Sequence, residues 1–187
     1  SDQSHIMLGV RGYNLFDEKR HTLEVLADVL GGGMSSRLFQ TIRGEMGAAY
    51  YVHAFTYELT DHGYLAARAG LGNEKLLDAV KAILGEFKRL KDEKVNESEL
   101  KKTKDHMIGG LMLSLETSDS LAEFYGFQEL LTREVLTPEE TVQKIEKVTA
   151  EDIQAIANEV FTNDKLNLAI IGPGGDEKDL EQILKIA

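Results

Sequence analysis

One short segment of the sequence carries the residue types of a zinc site. His21 and Glu24 have the spacing of the first histidine and the glutamate of the inverted zinc motif HxxEH, but Val25 stands where the second histidine belongs. A catalytic zinc needs about three protein ligands and an open fourth position, and one imidazole cannot hold it. We interpret the segment as a coincidence or a lost site. No residue is therefore assigned as a metal ligand or as a catalytic group.

The remaining residues of familiar catalytic chemistry are scattered. Cysteine is absent, which excludes a disulfide framework, a thiolate metal site and a cysteine nucleophile. The other histidines have no partner histidine or carboxylate at metal-binding spacing, so we expect core or surface roles for them: His5, His53, His62 and His106.

The glycine-rich segment has two alternatives. Ser35 and Ser36 follow glycines but lack the GxSxG elbow of a serine hydrolase, and capping explains them adequately. The run 31–33 resembles a phosphate cradle, yet it follows a helical pattern and has no GxxxxGK[ST] lysine. We therefore interpret the glycines as a helix stop.

Arg43 and Tyr50 are the pair of residues that best fits a binding site. The pattern places Arg43 at the end of a short helix and Tyr50 at the start of a strand, with a turn at Gly47 between them, so both side chains are able to enter one cleft. The alternative is structural, with Arg43 paired to Glu45 and Tyr50 packed in the core. Spacing alone favours this structural alternative.

The elements that must position these residues are strands followed by helices. Leu76, Val80, Ile83 and Phe87 recur with a helical period and face away from the charged residues, which is typical of an amphipathic helix on a sheet. The order predicts an α+β domain of two layers, an antiparallel sheet with helices packed on one face. Predicted strands are 4–12, 49–59, 63–71 and 166–171, and predicted helices are 18–30, 36–44, 76–90, 98–115, 121–132, a helix beginning at Pro138, 149–161 and 176–186.

Charge and length exclude several classes of partner. A net charge of −11 repels phosphate backbones and anionic membrane surfaces, so we expect neither nucleic acid nor membrane as a partner. No apolar run approaches the roughly 20 residues of a membrane span. We expect a cytoplasmic protein of one domain, residues 1–187. Because the chain starts without Met and enters an apolar segment at once, we expect a fragment of a longer protein.

A family resemblance rests on one long segment. Residues 30–50, LGGGMSSRLFQTIRGEMGAAY, closely resemble the C-terminal domain signature of insulinase-type metallopeptidases, the group of pitrilysin and the mitochondrial processing peptidase. Weaker resemblances extend it over essentially the whole chain, at 95–100, 111–117, 125–131 and 168–173.

The resemblance implies different roles for two domains of the family. In that family two similar α+β domains close like a clamshell around an unfolded peptide, and the N-terminal domain carries HxxEH and a distal glutamate. The C-terminal domain supplies an arginine and, seven residues later, a tyrosine, which correspond here to Arg43 and Tyr50. The resemblance implies that this chain is the zinc-free half and that zinc belongs to the full-length enzyme. It also implies that Arg43 contacts a substrate carbonyl and that the Tyr50 hydroxyl stabilises the oxyanion.

Three functions stay open from the sequence. The chain is half of a two-domain peptidase or a subunit that pairs with a separate HxxEH subunit, with unfolded peptides as substrates. Alternatively, it is a structural family member like the core subunits of respiratory complexes, or a stand-alone peptide-binding module. A homodimer is compatible with each. We also expect a sheet face or edge open to an extended peptide, since the family binds peptides partly by β-addition.

Overall fold

The sheet is antiparallel and has four strands. The computed structural model describes residues 3–186. Its strand order is β2-β3-β1-β4, so the last strand returns to pair with the first. The pairing leaves β2 and β4 at the two edges of this sheet. The strands are β1 Gln3–Gly12, β2 Ala49–Glu58, β3 Gly63–Gly72 and β4 Leu166–Ile171.

The two faces of the sheet differ in what covers them. Along β1, Ile6, Leu8 and Val10 are buried, whereas the alternating Met7 and Arg11 are exposed. This period of two places the apolar residues on the side of the helices. The opposite face, which we call the open face, presents side chains at paired positions of all four strands, among them Met7, Tyr51, Tyr57, Arg68 and Ile171. The expected α+β architecture, with helices on one face of an antiparallel sheet, is confirmed.

Three helices, Arg20–Gly31, Leu76–Asp92 and Ala150–Val160, lie against the buried face of the sheet, and the helix Glu97–Ser114 packs on the first of them. The second and third of these helices pack together through Phe87 and Phe161, the latter directly after Val160; both are fully buried, and their rings stack with centroids 4.2 Å apart. No helix among residues 3–186 is long and apolar enough to cross a membrane. The helices are α1 Arg20–Gly31, a π-helix Phe39–Glu45, α2 Leu76–Asp92, α3 Glu97–Ser114, α4 Ser118–Leu131, α5 Pro138–Lys147, α6 Ala150–Val160 and α7 Glu177–Ile183.

The predicted glycine stop of the first helix is confirmed, and its first glycine has a further role. α1 ends at Gly31, and the N–H of Gly32 donates to the Asp28 carbonyl oxygen. A Cβ at Gly31 would lie 2.3 Å from the backbone nitrogen of Ala54 in β2. The last turn of α1 therefore touches the sheet at a distance that only glycine permits. Because residues 32–38 lead directly from this point to the π-helix, Gly31 fixes where that connection begins.

We expect Gly31→Ala to destabilise the domain by about 1–3 kcal/mol, since the new methyl group must push backbone rather than a flexible side chain. Gly85→Ala is the matched control, because a Cβ at this α2 glycine meets nothing within 4 Å. Alanine there is expected to stabilise by about 0.5–1 kcal/mol. Urea unfolding of both variants checks the pair. Equal effects of the two substitutions would contradict the close approach of α1 to β2.

Candidate functional site

Arg43 stands on a π-helix that is anchored in the core. Leu38 and Ile42 are fully buried on the inner side of this segment, while Arg43 is exposed on its outer side. The N–H of Met46 donates to the Thr41 carbonyl oxygen over 3.0 Å, which is the i to i+5 bond of a π-turn. The predicted short helix over 36–44 is present, with π rather than α geometry along most of its length. Single π-turns are frequent at functional sites.

Arg43 and Tyr50 are in direct contact. Nη1 of Arg43 donates to the backbone oxygen of Tyr50 over 2.7 Å, and its guanidinium lies 5.4 Å from the centroid of the Phe39 ring. Tyr50 lies between Ala49 and Tyr51, where the pairing of β2 with β3 shifts its register. Tyr50 is 60% exposed. The connection turns at Gly47, whose φ of 57° favours glycine. Arg43 therefore contacts the backbone of Tyr50, and both residues are exposed at the surface.

The structural alternative for this pair does not match the geometry. A tyrosine packed in the core would be buried, and the Arg43 guanidinium is bonded to a strand carbonyl rather than to Glu45. The bond to Tyr50 uses one of the five N–H donors of an arginine. An exposed guanidinium with free N–H donors and an exposed tyrosine hydroxyl at the end of an edge strand are able to donate to carbonyl oxygens of a bound peptide.

Sequence reasoning missed a cluster of charged residues beneath the π-helix. Arg37 forks onto the carboxylate of Glu99 in α3, with Nε and Nη2 distances of 2.8 and 3.0 Å. Glu86 of α2 is buried next to it and accepts from the Thr41 hydroxyl over 3.4 Å. One signal was present in the sequence. Glu86 falls within the apolar stripe of its helix, three residues after Ile83, where a carboxylate is out of pattern.

The zinc-like segment lies at the start of α1 and is closed to a metal. His21 is buried, and its Nδ1 is 3.3 Å from an oxygen of Glu24. Val25, at the position of the missing histidine, is fully buried in the hydrophobic core. Within residues 3–186, no three His, Asp or Glu side chains are grouped so as to hold a metal ion. The donor set around His21 does not fit a catalytic zinc.

We expect the isolated chain neither to bind zinc stoichiometrically nor to hydrolyse peptides, because His21 and Glu24 have no third ligand beside them. Elemental analysis after metal-free purification, together with a peptide cleavage assay, measures both properties. His21→Ala is the diagnostic variant. One tightly held zinc per chain that disappears in this variant would overturn the assignment of the chain as zinc-free.

The other histidines take the expected surface roles. Nδ1 of His5 lies 3.1 Å from the Tyr51 hydroxyl, and His53 stacks on Phe55 at a centroid distance of 6.0 Å, both on the open face. His62 pairs with its neighbour Asp61 at the hairpin turn. None of these contacts brings the three histidines into a shared site.

His106 lines a polar pocket together with residues that were not predicted from the sequence to lie near it. Its Nδ1 lies 3.0 and 3.1 Å from the oxygens of Asp28, and Ser35 and Ser36 line the same pocket. Burial raises the pKa of Asp28, and the neighbouring His106 opposes this shift. The Ser36 hydroxyl donates to the Gly33 carbonyl oxygen, so it closes the glycine turn instead of capping a helix as expected. This contact accounts for the burial of Ser36.

Comparisons with known proteins identify what the chain resembles. The sequence profile described as "Peptidase M16 inactive domain" matches residues 1–107. An uncharacterized zinc protease of Bacillus subtilis is 36% identical over 176 residues, covering 94% of this chain and 43% of that protein. One from Mycobacterium leprae is 34% identical over 186 residues, covering 100% and 42%. The chain thus spans about two fifths of the length of these relatives.

Solved structures share the fold. The crystal structure of a peptidase M16 inactive domain from Pseudomonas fluorescens superposes with a TM-score of 0.83 at 20% identity, covering 94% of this chain and 42% of that one. A chain of complex III from Candida albicans gives a TM-score of 0.85 at 16% identity, covering 98% and 47%. At these identities the likeness concerns the fold alone.

Proposed function

The chain belongs to the peptidase M16 inactive-domain family, and on this premise we propose that it is the non-catalytic half of a zinc metalloendopeptidase. In this proposal it forms one wall of a substrate chamber and supplies Arg43 and Tyr50 to the peptide. Zinc and its HxxEH ligands belong to an N-terminal catalytic domain or subunit. When bound there, zinc polarises the scissile carbonyl and activates water.

The contact between Arg43 and Tyr50 is the observation that carries the proposal. The π-helix and the edge strand place the Arg43 guanidinium against the backbone of Tyr50, so that both residues lie exposed at one end of the strand. The guanidinium donates to a peptide carbonyl, and the phenol donates to the oxygen on which negative charge develops. Donors that are already in place cost no reorganisation during the reaction, which is why such groups stabilise a transition state effectively.

The sheet supports the binding of an extended peptide beside this pair. β2 is an edge strand, and Tyr50 stands near its N-terminal end. A peptide that adds to an edge strand gains main-chain hydrogen bonds, whatever its sequence. This mode suits unfolded substrates of varied sequence. The open face, with exposed Tyr51 and Tyr57 on the same strand, continues this surface.

A second exposed surface suits contact with the catalytic half. Leu113 at the end of α3, and Phe127 and Leu130 in α4, are 74%, 61% and 80% exposed. A Cβ at Gly110 or Gly126 on these helices would meet nothing within 4 Å, so packing inside this domain does not require glycine there. Exposed apolar side chains beside bare helix backbone favour the close approach of another polypeptide. We assign this surface to the catalytic half.

A purely structural role, as in respiratory-complex core subunits, is the alternative function. Tyr50 is exposed rather than packed in the core, which weighs against that alternative. The single-domain boundary at 1–187, a homodimer and a cytoplasmic location remain predictions.

Reconstitution tests the proposed function. The catalytic half is expressed alone and with this chain, either fused or as a separate subunit, and cleavage of an unfolded peptide is followed. We expect the catalytic half to hold zinc by itself but to cleave efficiently only with this chain present. Equal cleavage rates with and without this chain would refute a contribution from Arg43 and Tyr50. Binding of the two halves without any gain in cleavage would favour the structural alternative.

A further inference from the structure

A buried cluster of charges joins the π-helix to α2 and α3. The side chains of Arg37 and Glu86 are 9% and 6% exposed, and Arg37 Nη1 lies 3.9 Å from Glu86 Oε2, beyond hydrogen-bond distance. The other oxygen of Glu86 accepts from Arg89 over 2.9 Å and from Thr41 over 3.4 Å. Arg37 forks onto Glu99. Three helices therefore meet around two buried charges of opposite sign.

Stability alone does not explain this cluster. Removing two charges from water costs several kcal/mol per ion by general estimates, and replacing a buried ion pair by apolar residues is often neutral or stabilising. Leu38 and Ile42 already fix the inner side of the segment in the core. The charged cluster on the flank fixes the orientation of the segment as well. Hydrogen bonds and forked ion pairs require particular angles, whereas apolar contacts do not.

The cluster reaches Arg43 through Thr41. The Thr41 hydroxyl lies 3.4 Å from a carboxylate oxygen of Glu86, a long hydrogen bond, and the Thr41 carbonyl accepts the π-turn bond from Met46. Arg43 follows two residues later, inside that turn. Rotation of Thr41 into an α-turn would change the direction of the Arg43 side chain and weaken its bond to the Tyr50 carbonyl.

We propose that Glu86 and Arg37 are positioning residues, which hold the π-turn at Thr41 and thereby aim Arg43 at the substrate. The inference rests on the proposed function of Arg43. Glu86 acts without touching the peptide, by way of Thr41, and Arg37 ties the start of the same segment to α3. An error of about 1 Å in a substrate-positioning group is able to cost on the order of 100-fold in rate.

The test uses the complete enzyme, with this chain joined to its catalytic half. Thr41→Val removes the hydroxyl from a side chain of the same shape, and Glu86→Gln replaces the charged acceptor by a neutral amide oxygen that holds this hydroxyl more weakly. Each is expected to lower kcat about 10- to 100-fold with a small change in KM. Thr41→Ser, which keeps the hydroxyl, is expected to restore the rate. Asp105→Asn, at an exposed carboxylate on α3, is the control without effect.

A double-mutant cycle separates positioning from folding. In an Arg43→Ala background, Glu86→Gln is expected to lower kcat no further, because its effect passes through Arg43. Additive losses, or a normal kcat for Thr41→Val and Glu86→Gln, would overturn the positioning role while leaving Arg43 in place. An Arg43→Ala enzyme with normal turnover would overturn the proposed function and this inference with it.

An apolar replacement of the pair covers the case in which single variants fold poorly. Arg37→Met combined with Glu86→Leu fills the same space without buried charge, and Glu99 and Arg89 retain access to solvent. We expect a melting temperature close to that of the parent and a kcat as low as that of Glu86→Gln. A folded double variant with full turnover would refute the positioning role.

Discussion

Tyr50→Phe is expected to lower kcat of the complete enzyme by about 10²- to 10³-fold while the melting temperature barely changes. The substitution keeps the ring and removes the hydroxyl alone. Because the residue is 60% exposed, its hydroxyl contributes little to the fold of the domain. Steady-state kinetics with an unfolded peptide, together with thermal unfolding, measures both effects. Loss of one transition-state donor corresponds to roughly 2.7–4 kcal/mol.

Arg43 is expected to behave in the same way. Arg43→Ala should lower kcat by a similar factor, and Arg43→Lys should fail to restore it, since an ammonium cannot bond the Tyr50 carbonyl and a substrate carbonyl in the forked geometry of a guanidinium. Full recovery with lysine would mean that charge alone suffices.

Tyr13→Phe is the contrasting control for both substitutions. The Tyr13 hydroxyl is buried, and burial is the main reason that the pKa of this phenol is raised. Removing the Tyr13 hydroxyl is expected to change the free energy of unfolding and to leave kcat unchanged. If the Tyr50 and Arg43 variants instead unfold several degrees earlier with normal turnover, the two residues serve packing and the family resemblance of the pair is misleading.

Phe87→Ala is expected to have the largest effect on stability, about 3–5 kcal/mol. The Phe87 ring is fully buried and stacks on Phe161 with an interplanar angle of 9°, so its loss opens a cavity between α2 and α6 and removes an aromatic contact. Urea unfolding provides the measurement. Lys81→Ala, at an exposed position of the same helix, should stay within about 0.5 kcal/mol of the parent. A loss below 1 kcal/mol for Phe87→Ala would show that this core repacks freely.

The strands and most helices were predictable because their apolar residues recur with periods of two and 3.6. Boundaries shifted where a local bond between a side chain and the backbone decided them. α1 begins at Arg20 rather than at residue 18, since Asp17 accepts from the N–H of Lys19. α4 begins at Ser118 rather than at residue 121, because the Thr117 hydroxyl accepts from the N–H of Ser120. A pattern of apolar residues does not reveal such local hydrogen bonds.

The geometry around the candidate site residues was not predictable from the sequence. Family resemblance selected Arg43 and Tyr50, whereas their spacing favoured a structural role. The contact of Thr41 with Glu86 joins residues that are 45 positions apart in sequence, so local propensity could not reveal it. The bond from Arg43 to the Tyr50 carbonyl likewise follows from how the π-helix meets β2.

The central claim is that Tyr50 lies against the substrate in the complete enzyme. A photo-crosslinking amino acid in place of Tyr50 tests it most directly, with a zinc-stripped enzyme so that the bound peptide is not consumed. We predict a crosslink to peptide residues next to the scissile bond, and none from the same group placed at Glu146, an exposed position in α5. Equal labelling from both positions, or no crosslink from position 50, would contradict the account.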